Sequence, residues 1–357
     1  MLTQSARRIG SEQGHKRAFA VLLNGNARQV DEETRRALAS VVPAQDLFLS
    51  RSLADARRIA DTVVSRGYGT VFTGGGDGTF VGWVNHILDR AERRRATPPR
   101  FGVLALGTGN AVAGVVGARA DAHVENLTAF ARGDTTRLRR LDLLVCDGRR
   151  TPFAGVGIDA AVLNDYRWLK ARLENTRLAR AALGVPGYAL AIGLRSAPRY
   201  LVERRPSYCE IVNVGGPAFR LDGRGHQIGP AIQHGELLYA GACTMAAAST
   251  VPFYGFGLKA FPYACARPGS MQLRVLTELS LATLLVNIPS IWSGEFAHPG
   301  VVDFHAERVS LQFERPVPLQ VGGDAEGWRD EVTFGMAARP VDLLDFTPAP
   351  PRPRLVN

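Results

Sequence analysis

The residues best suited to chemistry are Thr73-Gly74-Gly75-Gly76-Asp77-Gly78-Thr79, which follow an apolar stretch and precede a helical one. Successive glycines let the backbone approach a ligand closely, so the amides of Gly75, Gly76, Asp77, Gly78 and Thr79 can cradle phosphate oxygens. A tight strand-to-helix turn without a ligand accounts for the glycines equally well. Asp77 argues for the ligand. A carboxylate in an anion-binding loop repels phosphate unless a divalent cation bridges the two or the acid moves a proton, which points to a Mg2+-nucleotide with Asp77 near the metal. The loop is not a Walker A motif: GxxxxGK[ST] is absent, and none of the three lysines, Lys16, Lys170 and Lys259, follows it. A GxGxxG dinucleotide fingerprint is also missing.

Two further loops have the same character. Gly107-Thr108-Gly109-Asn110 follows an apolar run, and Asn24-Gly25-Asn26-Ala27-Arg28 does likewise, with Arg28 placed to pair with phosphate. Phosphoryl transfer also needs a group to accept the acceptor's proton. Besides Asp77, the acids Asp324 and Glu326 in Gly322-Gly323-Asp324-Ala325-Glu326-Gly327 qualify, although a hairpin with two solvated acids explains them as well. Asp159, in Gly155-Val156-Gly157-Ile158-Asp159-Ala160, reads either as a ligand contact or as the cap of a helix over 160–169.

The elements that must position these loops alternate in the first third of the chain. Short apolar runs at 17–24, 46–49, 70–73 and 101–106 read as buried parallel strands, separated by helices over 31–42, 53–66 and from Thr79 onward. All three loops then lie at strand carboxyl ends, where parallel sheets bind ligands. After about residue 140 short strands at 209–214, 236–242, 270–275 and 308–313 indicate an antiparallel sandwich. A helical insertion, 163–201, interrupts it. The expected division is a flexible segment 1–16, a nucleotide-binding α/β domain 17–140, a β-sandwich 141–338, a return segment 339–347 and a disordered tail 348–357.

The 357 residues, 46% hydrophobic and 21% charged, suit a two-domain globular protein. The apolar run 279–292 holds Asn287 and Pro289 and falls short of a membrane span, so it reads as a buried core helix or the lining of an apolar channel. No secretory signal is read in the first 16 residues, and the scattered Cys146, Cys209, Cys243 and Cys265 suit buried thiols in a reducing, cytoplasmic setting. The net charge of +10 favours an anionic partner. Nucleic acid is disfavoured because no basic-aromatic module is present. His86, His123, His226 and His234 show no metal-ligand spacing, and a hydrolase lacks its GxSxG elbow.

The order LLNGNAR, TGGGDGTF, LALGTGN, GVGIDA and GGDAEG resembles the diacylglycerol kinase catalytic-domain family, which includes bacterial lipid kinases and the sphingosine and ceramide kinases, over about residues 18–346. That resemblance implies an ATP-binding α/β domain, a β-sandwich domain, and a cleft where a lipid hydroxyl meets the γ-phosphate of Mg2+-ATP. It places Asn24, Gly25, Asn26, Ala27, Arg28, Ser50, Gly75–Thr79 and Gly107–Asn110 around the nucleotide. It makes Glu326 the general base, with Asp77 the alternative, and puts Asp159 at the acceptor. GGDAEG looks like the family's Asp-Gly-Glu motif with Ala325 for glycine.

The chain also departs from the family pattern. Val81-Gly82 replaces a common Asn-Glu pair while Asn85 remains, and Arg267-Pro268-Gly269 stands where some members bind a structural Mg2+ through an Asp-Asp-Gly turn. A lipid kinase must meet its substrate at an interface, and the basic stretch 166–180, with Trp168 and three leucines, suits either an anionic inner-membrane surface or a solvated helix packed on the sandwich. An oligomer is compatible with all of this. The rival readings are a kinase of a soluble acceptor, as in the more distant NAD kinases that share GGDGT, and an inactive nucleotide- or lipid-binding protein.

Overall fold

The computed structural model describes residues 19–27, 29–107, 110–134, 137–173, 206–254 and 257–347. Expectations for the N-terminal segment, for most of the helical insertion beyond Leu173 and for the tail lie outside these residues.

Strands β1 (Phe19–Asn24), β2 (Leu47–Ser50), β3 (Thr70–Gly75) and β4 (Arg100–Ala105) form a parallel sheet in the order β2-β1-β3-β4. Their near-continuous apolar sequence follows from burial on both faces: along β1, Ala20 and Leu22 join one core cluster while Val21 and Leu23 join the other. Helix α1 (Glu32–Ala39) is capped by Asp31, whose carboxylate accepts from the Thr34 N–H at 2.8 Å. It stops three residues short of the expected Val42. Helix α2 (Leu53–Arg66) occupies its expected span between a Ser52 cap and Gly67 in the left-handed conformation. Helix α3 (Asp77–Arg94) begins two residues earlier than expected, directly off the end of β3, and buries Phe80, Val84 and Ile87 against the sheet. Helices α4 (Ala111–Val115) and α5 (His123–Arg132) follow β4.

Strand β5 (Leu138–Leu141) ends this half. Strands β6 (Leu144–Cys146) and β7 (Arg149–Thr151) form a tight hairpin, with Asp147 and Gly148 both at positive φ. Strand β8 (Phe153–Gly157) leads into helix α6 (Ile158–Leu173), the described part of the insertion, on which Arg172 stacks over Trp168 at 4.9 Å.

The antiparallel sandwich continues with β9 (Ser207–Asn213), β10 (Ala218–Leu221), β11 (Gln227–Ile232), β12 (Leu237–Cys243), β13 (Met245–Ser249) and β14 (Met271–Leu276). Helices α7 (Leu281–Val286) and α8 (Ile288–Ser293) precede β15 (Val301–Ala306), β16 (Arg308–Val321) and β17 (Asp324–Met336). The apolar run expected as one buried helix is thus two short ones. Pro289, without an N–H, opens the second, and Val286 and Trp292 stand exposed. Among the described residues no helix is long and apolar enough to cross a membrane.

Strand β18 (Val341–Leu344) leaves the sandwich and inserts into the first sheet, parallel to β4 and antiparallel to β5. Cys146, Cys209 and Cys243 are buried and Cys265 is exposed, all as free thiols. Arg267 packs over Phe219 at 4.1 Å, and the Gly269 N–H in the same turn donates to Asp142 at 3.1 Å.

Candidate active site

The parallel register brings the predicted loops to one edge. Asn24 is opposite Ser50, Leu23 opposite Gly74, and Gly75 opposite Ala105, so the ends of β2, β1, β3 and β4 are flush. Asn24 donates through Nδ2 to the Thr79 hydroxyl at 3.0 Å and accepts through Oδ1 from the Asn26 N–H at 3.0 Å. The first loop is thereby fastened to the glycine loop. Gly25 N–H donates to the Ser50 carbonyl at 2.8 Å, and Ala27 N–H to the Asn24 carbonyl at 2.9 Å. Buried Ser50 turns its hydroxyl back to the Leu23 carbonyl at 3.4 Å.

Two glycines are required by contact. A Cβ on Gly107 would lie 2.2 Å from the Cα of Gly76, backbone against backbone, so the β3 and β4 loops touch. Gly75 has φ +156°, and a Cβ there would meet the Thr79 side chain at 2.5 Å. Asn110 donates to the Gly107 carbonyl at 2.8 Å, while its own Oδ1 is buried with no hydrogen-bond partner. An orphaned carbonyl oxygen beside the glycine loops fits a bound group with N–H or O–H donors. Arg28, Thr108 and Gly109, also predicted here, lie outside the described residues.

Asp77 does not stand beside the phosphate cradle as a free acid. It is 8% exposed, and its two carboxylate oxygens accept from the Ala111 N–H at 2.9 Å and the Val112 N–H at 3.1 Å, the first turn of α4. Burial pushes its carboxyl above the usual range, against the pull of the two N–H donors. The expected cation beside Asp77 gains no support from this arrangement. Among the described residues no three His, Cys, Asp or Glu side chains converge on a metal position.

The acidic hairpin does meet the glycine loop. Strand β16 is irregular between Gln312 and Val317 and again between Pro318 and Gln320. It pairs with β9 along its first half and β8 along its second, which carries its end to the first domain. The turn Gly322–Gly323 has positive φ at both residues. Beyond it, the Asp324 carboxylate lies 3.6 Å from the position a Cβ on Gly78 would take, at the start of α3. Glu326 is paired with Arg149 Nη1, and Arg149 Nη2 stands 3.5 Å from Asp324.

The sequence reading did not find Arg149. The Asp147-Gly148 turn that delivers it is legible, but which acid it would face is not. Next to it, Arg150 ties the domains together: Asn85 accepts from the Arg150 N–H at 2.9 Å and donates to its carbonyl at 2.7 Å, and its guanidinium pairs with Asp89 at 2.7 Å and Glu92 at 2.8 Å. Asn85, the polar residue that remains of the family pattern in α3, therefore holds the junction.

Asp159 lies inside the first turn of α6 rather than capping it. Its Oδ2 accepts from the Tyr254 hydroxyl and from Gln320 Nε2, the latter at 3.3 Å, while Oδ1 is buried without a partner. Burial raises its carboxyl pKa, with Tyr254 and Gln320 pulling the other way. Gln320 also contacts the Tyr254 hydroxyl and accepts from the Gly323 N–H at 2.9 Å, linking this cluster to the acidic hairpin. Tyr254 and Gln320 carry no motif that singles them out.

Residues 18–143 match the diacylglycerol kinase catalytic domain, and residues 229–341 match the YegS C-terminal NAD kinase beta sandwich-like domain. No curated protein matches the chain significantly. A diacylglycerol kinase from Bacillus anthracis str. Sterne superimposes with a TM-score of 0.58 at 13% identity, covering 93% of this chain and 98% of that one. A second structure from the same organism, provisionally assigned as a diacylglycerol kinase, gives 0.61 at 14%, with the same coverage. At such identity these likenesses establish the fold, an α/β domain joined to an antiparallel sandwich. The two domain matches together span more than half of the 357 residues, and with the loops above they show that the chain belongs to the diacylglycerol kinase catalytic-domain family of kinases.

Proposed function

We propose that the protein is an ATP-dependent lipid kinase that transfers the γ-phosphate to the hydroxyl of a diacylglycerol-like or sphingoid lipid. The observation that carries this reading is the approach of Asp324 to Gly78: an acid from the far end of the sequence stands at the amide-rich start of α3, where a terminal phosphate would lie. Nucleotide phosphates would rest on the amides of Gly75–Thr79, with Asn24 and Thr79 fixing the loop. When bound, Mg2+ would supply charge neutralisation between the phosphates. Asp324, the acid nearest that position, suits its hydration shell better than Asp77, whose oxygens are committed to α4.

Glu326 accepts the proton of the acceptor hydroxyl. In the structure its partner is Arg149; as phosphate enters, the guanidinium has a second anion to pair with and Glu326 is released to act. Asp77 acts as a positioning residue that fixes α4 and the Gly107 loop. Asp159, Tyr254 and Gln320 line the acceptor side, and the orphaned Asp159 Oδ1 suits an acceptor hydroxyl. The exposed Val286 and Trp292 and the excess of basic residues favour an anionic bilayer as the place where substrate is met.

The test is radiolabelled ATP with Mg2+ supplied to the enzyme with a total lipid extract, with NAD, and with neither. Label in an organic-soluble phosphomonoester supports the proposal. Label in NAD transfers the reaction to a soluble acceptor, and ATP binding without any labelled product refutes the kinase.

A further inference from the structure

Away from the cleft, α2 and α3 border a half-open pocket of about 310 Å3, lined by Arg57 of α2 and by His86, Asp89, Arg90 and Arg93 of α3. Its volume is at the lower end of the range for small-molecule sites. Its charges are unbalanced. Asp89 is the single acid in the wall, and its carboxylate is held by Arg150 at 2.7 Å. Arg90 is paired with Asp61 of α2 at 2.9 Å. Among the described residues no ion pair engages Arg57 or Arg93. The half-buried His86 therefore faces Arg57, Arg90 and, from β7, Arg149, with Asp89 alone opposing them. Desolvation and these cations hold its imidazole below the usual range.

Guanidinium groups gathered around a concave site repel one another in the absence of a counter-ion, and their planar forks match phosphate oxygens. We propose that this pocket binds a phosphomonoester dianion, free or carried on a lipid headgroup, between Arg57 and Arg93, with His86 protonating to become a further donor to it. The site is independent of the reaction assigned to the cleft. It borders the cleft through β7, because Arg150, which anchors Asp89 and Glu92, is followed back by Arg149, which holds Glu326. An anion competing for the α3 side of that junction is placed to alter the cleft from outside.

The experiment follows the His86 ring by carbon–proton NMR in the whole protein, with the signal identified among the seven histidines by His86→Gln. Inorganic phosphate should raise the His86 pKa by about one unit, as an anion within a few ångström does, and Arg57→Gln with Arg93→Gln should remove the rise. If phosphate is silent, flotation on phosphatidylcholine vesicles containing phosphatidic acid, compared with equally charged phosphatidylglycerol vesicles, tests the headgroup as source. Preferential flotation with phosphatidic acid, lost in the double variant, supports the site with a lipid ligand. A silent His86 together with equal flotation on both vesicles overturns it, and so does a phosphate response that survives in a folded double variant. Single Arg93→Gln, checked by thermal melting, stands in if the double variant does not fold.

Discussion

Asp77 follows Gly76 and Glu326 follows Ala325, and the structure gives the two acids different surroundings. Glu326 is partly exposed and shares Arg149 with Asp324, whereas Asp77 is buried with both oxygens on backbone amides. Glu326→Gln is expected to lower kcat by about 100-fold or more, the usual yield of a general base, and to leave the KM for ATP within about twofold; single-turnover assays measure both. Asp159 gives a pH prediction. Its folded carboxyl titrates above the unfolded value of 3.8, so its contribution to stability is present below that value and is lost as pH rises through the folded one. Asp159→Asn removes this dependence. In urea titrations from about pH 4 to pH 7 the wild type should gain on the variant as pH is lowered; parallel curves would contradict the assignment. The sequence shows Glu326 and Asp159 but not their partners, because Arg149, Tyr254 and Gln320 reach them only through side-chain contacts between residues more than sixty positions apart.

At the scale of elements, the edge proposed for the nucleotide is a stack of flush strand ends whose loops touch through backbone. Gly107→Ala places its methyl carbon 2.2 Å from the Gly76 Cα, where no side chain can move aside. The variant should lose at least tenfold in ATP affinity by calorimetry and about 1–3 kcal/mol in urea stability. This edge was legible from composition: buried strands read as apolar runs, and loops at their carboxyl ends were expected on one side. Helix ends were less so. The extra turn expected of α1 fails because Ser40 turns its hydroxyl to the Ala37 carbonyl at 2.7 Å and Pro43 follows. The run 279–292 breaks because hydrophobicity alone says nothing about where a proline divides it.

For the molecule as a whole, the cleft exists only while the two domains hold their relation, and the Asn85–Arg150 junction is one described connection between them. Arg150→Ala removes two carboxylate contacts from a partly buried guanidinium, leaving Asp89 and Glu92 without it. It is expected to cost about 1–3 kcal/mol and to speed amide exchange in β7 and the middle of α3. Turnover should fall more than ATP affinity, since the acids move while the glycine loop stays. Exchange mass spectrometry and steady-state kinetics check the two together. Equal losses in kcat and ATP affinity would place the effect in the nucleotide domain itself. The two-domain plan was legible from the change of texture near residue 140, but this junction was not, for Arg150 reads as one arginine among many.

The insertion of β18 between β4 and β5 also constrains how the protein is made. On the ribosome, the last strand of the nucleotide sheet emerges about 200 residues after β5, a delay of roughly 10–40 s at ordinary rates of synthesis. Through that interval the nascent sheet keeps an open, apolar edge at β4 that nothing local can close. Chaperone dependence during translation, and failure of expression when the gene is cut between the domains, follow from that single crossing strand.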